Sequence, residues 1–336
     1  MKQNILVIYT GGTIGMQPSD DGYVPVSGFD ELLHQRLQPH GQQALPNFDV
    51  VEFEQLIDSS NLLPTNWQQI GRCIIDHYQQ YDGFVVLHGT DTMGYTASAL
   101  SFILQGLDKP VILTGSQIPL VELRNDAQDN LITSLMLAAN YRIPEVCVYF
   151  NGRLLRGNRC SKLKATGFDA FDSPNFPWLA QVGIHIDLHE QLMIEPGPQN
   201  FCVPDYDSAA VTMLHLYPGI QVNLVRRVLD DNRIRGLIIH SFGVGNPPDA
   251  NSELMTLLEQ ANLRGVVIVN LTQCLQGKVW QGAYATGSIL NRIGVIPGSD
   301  LTTEAAFCKL HYLLATEQDT AVVKEKMQLS LCGEQS

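Results

Sequence analysis

Seven short runs of this chain are apolar at almost every position, and that feature narrows the fold more than any other. They are NILVIY (4–9), GFVVLH (83–88), PVILT (110–114), VCVYF (146–150), VTMLHL (211–216), GLIIHSF (236–242) and GVVIVN (265–270). A run without polar alternation suits a strand buried on both faces, as in a parallel sheet covered by helices. Between these runs lie stretches of helical character at 65–80, 93–106, 124–140, 220–230, 251–264 and 302–315. In the first, Ile70, Cys73, Ile74 and His77 recur at helical spacing behind Thr65, the expected cap. A β-then-α rhythm reads as an α/β fold. The rhythm breaks in EQLMIEPGPQNFCVPDYD (190–207), where Pro196, Pro198 and Pro204 can continue neither a helix nor a central strand. The length of 336 residues fits two domains. The expected plan is a larger N-terminal domain (1–190) with a mostly parallel sheet flanked by helices, a linker (191–208), and a smaller C-terminal α/β domain (209–336).

Charge and composition exclude several classes. Against 34 acidic residues stand 21 basic ones, a net charge of −13 that opposes a phosphate-backbone partner, so no nucleic acid is expected. Seven cysteines without a CxxC pair point to a reducing compartment rather than a zinc site or a disulfide framework. The apolar stretch ILVIY near the N-terminus is too short for a signal-peptide core, and no run approaches the roughly 18 apolar residues of a membrane span. A cytoplasmic protein without a membrane partner is expected. HIDLH (185–189) sets His185, Asp187 and His189 on one face of a strand, but the same alternation marks an ordinary half-buried strand, and no metal is expected.

The chemistry concentrates where strands end. The first runs into Thr10-Gly11-Gly12-Thr13-Ile14-Gly15, which lacks both the middle glycine of GxGxxG and the lysine of a phosphate loop. The second ends in Gly89-Thr90-Asp91-Thr92 and the third in Thr114-Gly115-Ser116. Each hydroxyl alone has a structural reading as a cap or turn. In an open parallel sheet, however, ligands bind along the edge where the strands end. Thr10, Thr13, Thr90, Asp91, Thr114 and Ser116 are therefore expected to converge on one crevice. A threonine hydroxyl becomes a nucleophile only when a base takes its proton. His88, Lys162 and Tyr23 are the candidates, Tyr23 in a Gly-, Ser-, Asp- and Pro-rich loop (16–28) suited to closing over a substrate.

TGGTIG (10–15) together with LHGTDTMGYTASAL (87–100), supported by DSSN (58–61), resembles the bacterial L-asparaginases over nearly the whole chain, and specifically the cytoplasmic type I enzymes. The resemblance implies hydrolysis of L-asparagine to L-aspartate and ammonia without a cofactor. It matches Thr13 to the nucleophile that forms an acyl-enzyme and Tyr23 to the lid residue that helps activate it. Thr90 and Lys162 match the groups that handle the proton and the attacking water, with the order of attack by Thr13 and Thr90 open. Asp58, Ser59 and Ser60 would hold the substrate's α-groups, with Asp91 facing the ammonium. Ser60 and Asn61 stand where periplasmic relatives carry glutamine and aspartate, which favours the type I grouping. The type I resemblance also implies a second, activating asparagine site at Ser161, His240, Thr272, Gln273 and Cys274, although an arginine is expected where His240 stands. It further implies a homodimer or homotetramer. Two rivals share the scaffold: the amidase subunit of a tRNA-dependent amidotransferase, which expects an extra N-terminal module, and an inactive amino-acid sensor, which expects loss of Thr13, Thr90, Asp91 or Lys162. A nicotinamide oxidoreductase fails on the glycine spacing.

Overall fold

The computed structural model describes residues 2–20, 22–25, 28–37, 45–283 and 285–336, and these form two compact units, Met1–Val203 and Pro204–Ser336. The first is built on an eight-stranded sheet in the order 186–188, 180–182, 153–156, 146–150, 111–114, 83–87, 4–9, 47–52. The five strands from 146–150 to 47–52 run parallel, and the other three are antiparallel additions at one edge. Every residue of Ile5–Tyr9 and Gly83–Leu87 is buried, as uninterrupted apolar runs require. Ile5, Val7 and Tyr9 share a core with Phe29 and Leu33 of the helix Phe29–Leu37 and with Leu131 and Leu135 of Ala127–Asn140. Leu6 and Ile8, alternating with them, are fully buried as well, so this strand is covered on both faces.

Helix starts differ from expectation in one instructive place. The helix expected at 65–80 spans Pro64–His77, with Pro64 in its first turn, where a missing N–H costs nothing. Thr65 is thus inside the helix. The cap is made instead by Asn66, whose Oδ1 accepts from Leu63 N at 2.8 Å.

Only the latter part of the expected linker behaves as a boundary. Asn200–Phe201 pairs with Leu104–Gln105, Cys202 N donates to Ile103 O, and Ile194 N donates to Glu145. These bonds tie 194–202 to the first unit, and the division falls at Val203–Pro204.

The second unit carries four parallel strands in the order 211–215, 236–241, 267–272, 296–297. Its core joins Leu237, Ile239 and Ile268 to Val225, Leu254, Leu258 and Leu290 of the surrounding helices. Two helices of this unit, Ser252–Leu263 and Thr303–Thr316, begin at side-chain caps: Asn251 accepts from Leu254 N and Thr302 from Ala305 N. Among the described residues, no helix is long and apolar enough to cross a membrane.

Candidate active site

Three loops at the carboxyl ends of parallel strands meet where glycines let them approach closely. Gly11 and Gly12 have φ of +126° and +88°, values that L side chains rarely adopt. A Cβ on Gly12 would overlap the backbone nitrogen of Gly89, one on Gly89 would overlap Ser59 Oγ, and one on Gly11 would lie 2.5 Å from Ile57 O. Hydrogen bonds fasten the same three segments: Ile57 N donates to Thr10 O at 2.7 Å, and Thr92 Oγ1 donates to Ser59 O at 2.8 Å. Thr13 follows in a single 3-10 turn, Thr13–Gly15. Among the described residues its hydroxyl has no hydrogen-bond partner.

Beside this junction lies a charged cluster. Lys162 Nζ donates to Thr90 Oγ1 at 2.8 Å and to Asp91 Oδ1 at 2.7 Å. The lysine is delivered by the short strand Ser161–Lys162, paired antiparallel with Phe171–Asp172, and its side chain is mostly buried while that of Asp91 is 62% exposed. Thr90 is itself buried and donates in turn to Gln117 Oε1 at 3.3 Å. The geometry therefore joins Thr90, Asp91 and Lys162 in one cluster, and the Gly12–Gly89 contact brings the Thr13 turn alongside.

Other expected residues have different partners. Asp58 Oδ1 accepts from both the backbone N and the hydroxyl of Ser60, each at 3.0 Å, forming the cap of the turn Ser59–Asn61; Ser59 is buried against Gly89. Tyr23 lies on an exposed antiparallel hairpin, Met16–Ser19 with Gly22–Pro25, rather than in an irregular loop; residues 21, 26 and 27 of that expected loop lie outside the described residues. Its hydroxyl donates to Glu122 Oε1 at 2.6 Å, and this bond to a carboxylate raises the phenol's pKa.

Two threonines expected in the crevice are not available to it. Thr10 Oγ1 donates to Leu87 O and Thr114 Oγ1 to Tyr149 O, both buried at 2.8 Å, so these hydroxyls lock neighbouring strands together. Ser116 is likewise buried. His88 is no surface base: burial pushes its pKa down to about 4, with Nδ1 2.7 Å from Gly89 O and Nε2 2.9 Å from Thr96 Oγ1. His189 of the HIDLH stretch sits with Nδ1 2.8 Å from Trp178 O.

The residues expected at an effector site divide between the units. His240, Thr272, Gln273 and Cys274 lie at the carboxyl edge of the second sheet. Gln273 Nε2 donates to Leu216 O and His240 O, and Thr272 Oγ1 donates to Gly243 O while accepting from Cys274 N. His240 stacks on His215, its register partner, and contacts Thr303 Oγ1 at 2.9 Å. Ser161 belongs to the first unit, next to Lys162.

Three residues at the site escaped the sequence reading. Gln117 holds Thr90 and reaches the carbonyls of Ala165 and Gly167 at 3.2 and 3.0 Å. Asp126 accepts from the backbone N of Gln117 and Ile118, and Asn130 donates to Gly115 O. Their only sequence signal is position next to the third strand end, since their roles arise from long-range contacts.

Comparison with known proteins fits this arrangement. The family model "Asparaginase, N-terminal" matches residues 4–193 and the model "Glutaminase/Asparaginase C-terminal domain" matches residues 210–327. The chain is 49% identical over 336 residues to L-asparaginase 1 of Escherichia coli strain K12, covering 99% of this chain and 98% of the relative. The crystal structure of L-asparaginase I from Vibrio cholerae superimposes with a TM-score of 0.92 at 46% identity, covering 100% of both chains. The thermostable L-asparaginase of Thermococcus kodakarensis superimposes with a TM-score of 0.88 at 32% identity, covering 99% of both.

Proposed function

This chain belongs to the asparaginase family, and on that basis we propose that it hydrolyses the side-chain amide of L-asparagine to L-aspartate and ammonia through a threonine acyl-enzyme. The observation that carries the proposal is the Thr13 turn, its hydroxyl without a hydrogen-bond partner among the described residues, brought by the Gly12–Gly89 backbone contact next to Thr90, whose oxygen accepts from Lys162. Thr13 Oγ attacks the amide carbon, ammonia leaves with the hydroxyl's proton, and an ester joins substrate to enzyme. Water then cleaves the ester, releasing aspartate and restoring the threonine, while Thr90 and Lys162 carry the proton. Such general-base help contributes about 10²–10⁴ in rate.

The oxyanion that forms at each attack needs preorganised donors. Backbone N–H groups around Gly11, Gly12 and Gly89–Asp91 supply them, each worth about 10²–10³ in rate. Asp91, exposed and with one oxygen on Lys162, faces the substrate's ammonium, and Asp58, Ser59 and Ser60 receive its α-groups. Tyr23 assists Thr13 when the hairpin closes and its hydroxyl leaves Glu122.

The test is ammonia release from L-asparagine and L-glutamine by wild type, Thr13→Ala and Thr90→Ala. Both variants are expected to stay folded while kcat falls by about 10³ or more. Retention of activity with a melting point lowered by only a few degrees would mark both hydroxyls as structural and sink the mechanism.

The type I resemblance extends the proposal to a cytoplasmic homodimer or homotetramer, activated by asparagine at the edge carrying His240, Thr272, Gln273 and Cys274. Sedimentation reads the oligomer, and the rate curve reads the activation, a hyperbola from low asparagine upward being the refuting shape.

A further inference from the structure

We infer that Gln117 is a positioning residue that holds the Thr90 hydroxyl so that its lone pair, and not its proton, faces the charged Lys162; this rests on the activity proposed above and deepens it. An ammonium can only donate, so the Thr90 oxygen accepts from Lys162 at 2.8 Å. The hydroxyl has a single proton, and the acceptor it meets among the described residues is Gln117 Oε1 at 3.3 Å. The amide cannot be turned the other way. Its NH₂ group faces the carbonyls of Ala165 and Gly167, which only accept, so the oxygen must face Thr90. The backbone of the same residue is fixed as well, its N–H held by both carboxylate oxygens of Asp126.

Gln117 and Lys162 therefore compete for one proton. With Lys162 charged, the Thr90 hydroxyl points at Gln117 and offers its lone pair to the ammonium. Once Lys162 is neutral, the hydroxyl can turn and donate to the amine, the arrangement from which a proton moves to the lysine. Gln117 favours the first arrangement, holds Thr90 in register with the 165–167 loop, and among the described residues makes no hydrogen bond to Asp58, Ser59, Ser60 or Asp91.

Two variants separate this role from simple packing. Gln117→Leu keeps the bulk but removes the bonds that tie Thr90 to the 165–167 loop, so Thr90 loses its register with Lys162, and kcat is expected to fall about tenfold with KM changed less than about threefold. Gln117→Glu keeps an acceptor but adds a carboxylate. Because both groups meet at the Thr90 oxygen, that carboxylate lies within about 6 Å of Lys162, where an opposite charge stabilises the ammonium. The pH of half-maximal kcat on the rising limb is then expected to move up by about one unit in Gln117→Glu and not to move up in Gln117→Leu.

The assay is ammonia release from L-asparagine across pH, for wild type and both variants, with melting curves alongside. A silent wild type would refute the proposed activity and this inference with it. An active wild type with Gln117→Leu within twofold in kcat, or with no upward movement of the limb in Gln117→Glu, would overturn the inference alone. So would lowered melting points in both variants with kcat, KM and pH profile unchanged.

Discussion

Replacing Glu334 by Gln should unfold the second unit far more easily than one exposed residue would, because this carboxylate is sealed inside it. Lys309 and Glu334 are both fully buried and meet at 2.6 Å. The lysine's other two protons go to Met327 O at 3.1 Å and Leu329 O at 2.5 Å, so all three are satisfied. The carboxylate accepts from Leu331 N and Cys332 N, which folds the final residues back over the helix Thr303–Thr316. Burial pulls the pKa of Lys309 down and Glu334 pulls it back up. Glu334→Gln removes the opposing charge, strands the ammonium, and turns an amide NH₂ toward a backbone N–H. Breaking one side of a buried pair costs about 3–5 kcal/mol, and that is the expected loss in urea unfolding. Lys309→Met should cost a similar amount. In the double variant Lys309→Met/Glu334→Gln no charge is left unpaired, so its cost should fall short of the sum by about 2 kcal/mol or more. A loss under about 1 kcal/mol for Glu334→Gln, or singles that add within about 0.5 kcal/mol, would refute the reasoning.

Acid should destabilise the protein through histidines buried as neutral rings. Burial depresses the pKa values of His88, His240 and His311 to about 4 from the usual 6.5. The unfolded chain then binds protons before the folded one, so stability falls as pH drops from 6.5 to 4 and no further below that. For His88→Gln, the stability difference between pH 7 and pH 5 should shrink by about 2 kcal/mol relative to wild type, and an unchanged difference would refute the assignment. Gly12→Ala should cost about 3 kcal/mol or more in stability, or abolish soluble protein, since its Cβ meets backbone at a positive φ. Melting of the purified variant within a degree of wild type would contradict this. Thr114→Val, which loses only the bond to Tyr149 O, should cost about 1 kcal/mol and leave kcat within about twofold; a collapse in kcat would return this hydroxyl to the catalytic set.

Strands buried on both faces were the most legible part of the fold. NILVIY and VCVYF become strands at the residues expected, 4–9 and 146–150, because no polar residue interrupts either run after Asn4. NFDVVE (47–52) went unread since it is a half-buried edge strand whose polar residues break the apolar pattern. RLLR (153–156) is hidden differently, its end arginine Arg156 being buried in a pair with Glu145. The glycines and hydroxyls of TGGT and GTDT pointed to the proposed site, because strand ends of a parallel sheet share an edge. Which hydroxyl does what depends on partners far away in the chain. Thr10 and Thr114 looked like Thr13 and Thr90 until neighbouring carbonyls claimed them. Gln117 gave no signal beyond its place next to a strand end, since its partners lie at 90, 165 and 167.

The bare backbone contact between Gly12 and Gly89 also bears on how such a site can change over generations. Where two side chains touch, enlarging one can be accommodated by shrinking the other. Here the atoms that a methyl group added on Gly12 would strike are peptide nitrogen and main-chain carbon, which no codon change can trim. The spacing between the two threonine turns is thus outside the reach of compensating mutation. Drift in substrate preference has to be sought in side chains of the substrate-binding set, such as Ser60, while the spacing of the two turns stays the same.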